Sequence, residues 1–160
     1  MLTNECERDI QLELNRNYLK SFPARLKFCH IFLCTLASGL LFYYTSDNYL
    51  LTFIPICIES ILALCSLIFL VSSTINWNTT GKIRMARINF IFHTIAIILL
   101  IISTFILLIG VTVQILSYKN ILKYQLPFIV SLFVASILNV LSALLYYTSI
   151  KLVRTTCENY

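Results

Sequence analysis

The chain has 160 residues, of which 59% are hydrophobic and 12% charged, far below the roughly 25% charged residues of a soluble domain. Three glycines and three prolines exclude a loop-rich or collagen-like protein, and the net charge of +5 arises from twelve Lys and Arg against seven Asp and Glu. Long uninterrupted apolar runs mark a chain solvated by lipid rather than water.

Residues 1–26 form a polar segment predicted to hold a short amphipathic helix. Asn4 suits its cap, Glu5, Glu7 and Asp9 suit its first turn, and Ile10, Leu14, Tyr18 and Phe22 share one face. Arg16, Lys20, Arg25 and Lys27 crowd toward the membrane. The segment is expected to lie on the anionic inner leaflet, with a protein partner on the same face as the competing reading. Ser21-Phe22-Pro23 breaks it, and Pro23 can open the first turn of the next helix. So long a mixed-charge start does not fit a cleavable signal peptide.

Residues 27–150 read as one membrane domain with spans at about 28–44, 49–71, 88–116 and 126–147, followed by a tail, 151–160. Each span can cross a hydrocarbon core of about 30 Å, and none alternates as a barrel strand would. The expected fold is all-α, an integral membrane antiparallel four-helix bundle.

Small and polar side chains mark helix contacts in lipid, where apolar surface has no preference for protein. The first span offers Ile31, Thr35, Ser38 and Phe42; the second offers Pro55, Glu59, Ala63 and Ser66. The third carries a heptad seam of Ala86, Asn89, His93, Ala96, Leu100, Ser103, Leu107, Gly110 and Gln114, which predicts a crossing at about 20°. The fourth offers Ser131, Ala135, Asn139, Ala143 and Tyr146. In register, Thr35 or Ser38, Glu59, Ser103 or Thr104, and Asn139 fall near the midplane as an intramembrane polar layer.

Glu59 stands out because an ionised carboxylate about 15 Å inside a span costs several kcal/mol unless it meets a partner or water. No Lys or Arg is expected at its depth. Three readings follow: a protonated Glu59 bonded to Asn139 or a hydroxyl, a salt bridge to another protein, or a proton or cation site. His93 lies on the seam about two turns nearer the cytosol and reads as a hydrogen-bonded packing residue. His30 is placed at the interface. No further ligands converge at either depth, so no metal is expected.

Ten of the twelve basic residues flank the spans on one side, which places both termini and the middle loop in the cytosol. Only Lys119 and Lys123 lie opposite, and Asn78-Thr79-Thr80, a glycosylation pattern, then falls where the machinery does not reach. The six cysteines include none in an outer loop and no Cys-x-x-Cys pair, against both an outer disulfide and a thiol oxidoreductase. Cys29 and Cys157 are juxtamembrane candidates for palmitoylation.

From Leu50 to Leu108 the chain resembles the CD20-like four-span family (membrane-spanning 4-domain subfamily A). The likeness rests on the second span, the short basic loop Thr79-Thr80-Gly81-Lys82-Ile83-Arg84, and Asn89 opening an Ile-rich third span. The family's longer second outer loop and Gly- and Ser-rich second span are not reproduced. The resemblance implies a non-enzymatic tetraspan that oligomerises and modulates receptors or ion flux.

No nucleophile–base pair, phosphate-cradling loop or metal spacing occurs, so neither an enzyme nor a cofactor is expected. The expected role is a small accessory or scaffold subunit associating laterally with other membrane proteins or itself, in the plasma membrane or endoplasmic reticulum, with no nucleic-acid partner. The alternative is a small transporter or ion-channel subunit coupled through Glu59, as small multidrug transporters use a glutamate in their own first span.

Overall fold

The structure is a computed structural model that describes residues 18–44, 49–75, 79–117 and 122–158. Most of the expected amphipathic segment, residues 1–17, lies outside the described residues; at Tyr18–Lys20 the chain makes one 3₁₀ turn. Ser21 then precedes a helix, its carbonyl accepting the Arg25 N–H at 3.2 Å, and Pro23 occupies the first turn, where no N–H is needed.

Four helices follow: α1 (Phe22–Tyr44), α2 (Tyr49–Thr74), α3 (Thr79–Ser117) and α4 (Leu122–Glu158). All four are long and apolar enough to cross a membrane, so the fold is all-α and of the integral membrane, multi-pass kind. Pro55 and Pro127 sit early within α2 and α4, where loss of one backbone hydrogen bond is tolerated in packed membrane helices.

The helices form a ring in which α1 touches α2 and α4, and α3 touches α2 and α4; α1–α3 and α2–α4 are the diagonals. Side-chain contacts fix the directions. Lys27 at the start of α1 bonds Ser73 at the end of α2, so these two run antiparallel. Glu59 pairs with Asn139 and Ser66 with Tyr146, so the diagonal partners α2 and α4 run parallel. The start of α1, end of α2, start of α3 and end of α4 therefore share one end of the bundle, called here the terminal end.

The helices are 23, 26, 39 and 37 residues long. The short basic loop expected between the second and third spans is largely helix, because α3 begins at Thr79 and carries Lys82, Arg84 and Arg87 on its first turns. From Ser103 back to Thr79 is about 36 Å of helix, whereas Glu59 to Thr74 is about 22 Å, so α3 outruns α2 at the terminal end.

Burial follows the expected stripes on α2, α3 and α4. On α3, His93, Ala96, Leu100, Ser103, Leu107, Gly110 and Gln114 are all buried. On α1 the expected stripe is wrong. The inward residues are Ala24, Lys27, His30, Cys34, Ala37 and Leu41, while Thr35 is exposed and Phe42 is 73% exposed. The reason is local chemistry: Thr35 Oγ1 donates to the Ile31 carbonyl at 2.7 Å and Ser38 Oγ to the Thr35 carbonyl at 3.1 Å. A hydroxyl satisfied by its own helix can face lipid without an unpaired group.

The interior has two apolar clusters at different depths. Cys34, Leu62, Ala96, Leu100 and Tyr146 pack together toward the terminal end. Ala37, Leu41, Leu107, Leu132 and Ala135 pack together toward the opposite end.

A polar axis inside the bundle

At mid-depth Asn139 Nδ2 donates to Glu59 Oε1 at 2.9 Å and to Ser103 Oγ at 3.0 Å. All three residues have no exposed surface. Because α2 and α4 are diagonal, the Glu59–Asn139 bond crosses the bundle axis. Both amide hydrogens of Asn139 are committed, one to α2 and one to α3. Asn139 Oδ1 has no hydrogen-bond partner among the described residues, and Glu59 Oε2 has only a loose contact with Ser103. The layer holds three side chains rather than the wider set expected. Thr104 bonds the Leu100 carbonyl of its own helix at 2.8 Å, and exposed Thr35 and half-buried Ser38 likewise bond carbonyls of α1.

One heptad nearer the terminal end lies a second layer. Ser66 and Tyr146 share a hydrogen bond of 2.7 Å, again across the α2–α4 diagonal. The His30 ring stacks on Tyr146 with centroids 3.9 Å apart and planes inclined by 19°. His93, on the other diagonal, sits 6.0 Å from His30 and 5.4 Å from Tyr146, and Phe92 closes on it at 5.5 Å. His93 and Ser103 are separated by about 15 Å along α3, so His93 does not join the Glu59 layer. His30, expected at the interface, is wholly enclosed by protein. His93 Nδ1 lacks a hydrogen-bond partner among the described residues, and the His30 ring has only a loose contact with the Leu145 carbonyl.

Two small groups bridge the layers in depth. Cys34 on α1 is buried one turn below His30, and Ser142 on α4 is buried between Asn139 and Tyr146, its Oγ held only by a loose contact with the Cys34 thiol.

Lys27 stands at the mouth of the axis and is only 5% exposed. Its Nζ donates to the Phe69 carbonyl at 3.1 Å and to Ser73 Oγ at 2.8 Å, joining α1 to α2. The same ammonium is 6.0 Å from the centroids of both the Tyr18 and Phe69 rings, within cation–π range. Tyr18 also hydrogen-bonds Ser73, but burial is the larger influence and raises its phenol above the ordinary value. Sequence reading assigned Lys27 to the flank and missed this cluster. The available signal was the spacing of Lys27, His30, Cys34, Ala37 and Leu41, which is one stripe of a helix.

The remaining seam residues scatter. Asn89 is half-buried with Oδ1 unpartnered among the described residues, and Gln114 is buried at the opposite end. A Cβ added at Gly110 meets Leu132 Cδ1 at 3.6 Å, an ordinary contact that seats α3 against α4. Cys29 is exposed on the outer face of α1, and Cys157 lies in the last turns of α4. Among the described residues no three His, Cys, Asp or Glu side chains converge closely enough to hold a metal ion.

Comparison with known proteins adds no relative: no family model, no curated protein and no solved structure matches the chain.

Proposed function

We propose that this chain is a non-enzymatic four-span accessory or scaffold subunit that acts by lateral association with other membrane proteins. Both termini lie in the cytosol in this reading, supported by ten of twelve basic residues flanking the spans at the terminal end. The plasma membrane and the endoplasmic reticulum are the proposed sites, and the resemblance to the CD20-like family points to the same class of role.

The observation that carries the reading is the outer face of α1. Phe32, Thr35, Leu36, Gly39, Leu40 and Tyr43 line a shallow groove there. Thr35 and Gly39 are four residues apart, the small-xxx-small spacing that lets a second helix approach closely in lipid. A Cβ built on Gly39 meets nothing within 4 Å, so this notch serves no contact inside the bundle. Native mass with partner identification after mild detergent extraction tests the reading. A complex with a larger membrane protein that Gly39→Leu abolishes is the expected result; a clean homo-oligomer overturns the accessory role.

A second reading, a small transporter or ion-channel subunit coupled through Glu59, is favoured by the loosely held Oε2 on the axis. Glu59→Gln separates the two: flux lost with assembly intact supports transport, and assembly lost supports a structural carboxyl.

A further inference from the structure

The polar groups on the axis are not distributed evenly along it. Toward the terminal end they recur at each turn: Asn139, Ser142 and Tyr146 on α4, Cys34, His30 and Lys27 on α1, and Glu59, Ser66 and Ser73 at heptad spacing on α2. Toward the opposite end the axis is filled instead by Ala37, Leu41, Leu107, Leu132 and Ala135, flanked by Ile56, Val111, Phe128 and Leu138. Ser131 and Ser136 are buried near this layer, but their hydroxyls bond the Phe128 and Leu132 carbonyls of their own helix at 2.7 and 2.8 Å. Thr52, one heptad from Glu59 on α2, and Gln114 on α3 are buried on this side as well, but neither side chain titrates, so the fully buried acid–base groups of the axis lie on one side of Glu59.

That half also holds the unpartnered and loosely held atoms. Asn139 Oδ1 and His93 Nδ1 are buried without a hydrogen-bond partner among the described residues, while Glu59 Oε2, Ser142 Oγ and the His30 ring are held only by loose contacts, to Ser103, Cys34 and the Leu145 carbonyl respectively. A packed structural network satisfies such groups, since each unpaired one costs about 1–3 kcal/mol. Five residues in successive layers on the same half-axis point to a use other than packing.

We propose that Glu59 is a proton-binding site reached from the terminal end alone, by way of the His30–His93–Tyr146 layer and the Cys34–Ser142 level. A proton taken from water at that end moves by exchange. Each imidazole accepts it on one nitrogen and releases one from the other, and the Glu59 carboxylate ends as a neutral carboxylic acid. The balance is one proton removed from the terminal-side compartment and one held at mid-depth.

The chemistry of the path favours a proton over a metal cation. Thiol, phenol and imidazole groups exchange protons, and Glu59 Oε1 receives an N–H from Asn139 where a metal site needs further oxygen donors. The ionisable groups of the other helices on this half-axis are Lys27, His30 and Cys34 on α1, His93 on α3 and Tyr146 on α4. On α2 itself Cys65 is half-buried on this half, and Cys57 is half-buried just beyond Glu59 on the other.

This inference deepens the transport reading by naming the ion and its side of entry. Flux can be absent while one-sided protonation persists, so the failure of either is seen separately. The full chain is reconstituted in phosphatidylcholine vesicles whose inner and outer pH are buffered independently. Protease access to the tail identifies which side carries the termini. N,N′-dicyclohexylcarbodiimide, which attaches to protonated carboxyls in apolar surroundings, labels Glu59, and peptide mass spectrometry reads the adduct with Glu59→Gln as the blank. Above the titration midpoint, raising terminal-side pH lowers the labelling rate about tenfold per unit, while the opposite compartment has no effect. Labelling that follows the opposite compartment, that is independent of both, or that is absent at every pH overturns the proposal.

Discussion

Ser66 and Tyr146 meet at 2.7 Å although they stand 80 positions apart in sequence, the same offset that separates Glu59 from Asn139 one heptad away. Two diagonal hydrogen bonds at one offset lock α2 and α4 in a parallel register. Sliding either helix by a single residue turns its partners by about 100° and breaks both bonds together.

The Ser66–Tyr146 bond gives an asymmetric pair of substitutions. Ser66→Ala strands the buried Tyr146 hydroxyl, whereas Tyr146→Phe leaves a serine that can turn to its own helix. Ser66→Ala is expected to cost about 1 kcal/mol, within the range of membrane hydrogen bonds, and Tyr146→Phe distinctly less. Reversible unfolding in mixed micelles of detergent and SDS measures both, and the reverse order contradicts the geometry.

Asn139→Val removes two hydrogen bonds and leaves the Glu59 carboxyl alone on the axis. The expected loss is about 1–3 kcal/mol, against a smaller one for Glu59→Gln, which keeps an oxygen that can accept the same bond. A double-mutant cycle that pairs Asn139→Val with Glu59→Leu, which removes the acceptor, is expected to show coupling of about 0.6–1.7 kcal/mol. Strict additivity of the two changes rejects the contact.

Lys27→Met is expected to leave stability nearly unchanged, because an apolar residue of similar volume relieves a buried ammonium of its desolvation while giving up its bonds to Phe69 and Ser73. Lys27→Glu instead aims a carboxylate at a carbonyl oxygen and is expected to lower the thermal midpoint by several degrees. Paired melting curves in one detergent decide it; equal losses for both variants contradict the assigned contacts.

At the α3–α4 seam, Gly110→Ala adds a methyl in ordinary contact with Leu132 and improves helix propensity by about 0.8–1 kcal/mol. Its melting point is expected to stay level or rise. Gly110→Leu overfills the same space and is expected to cost about 1–3 kcal/mol. A fall with alanine means the two helices approach more closely than described.

The third helix was legible from sequence because its inward markers are Asn, His, Gln and small residues. No side chain of the first three types can satisfy itself on its own helix turn, so lipid drives it to the interior. Glu59 and Asn139 were legible for the same reason. The first helix misled because its obvious polar residues, Thr35 and Ser38, are self-satisfied hydroxyls with no such constraint. Its true markers, Lys27 and His30, stand close to the start of the span, where residues of their type ordinarily belong to the flank. A long aliphatic stem lets Lys27 reach inward from that position, which charge counting does not register.

Under one-sided proton access, the apolar layer formed by Ala37, Leu41, Leu107, Leu132 and Ala135 acts as a floor beneath Glu59. The acid–base groups then answer to the compartment that holds the termini, and the apolar layer faces the other. Such an object has a direction. If that access holds, the same chain inserted upside down would keep every contact and yet sample the wrong side of the membrane, and the basic residues at its ends would then set the sense of the device as well as its topology.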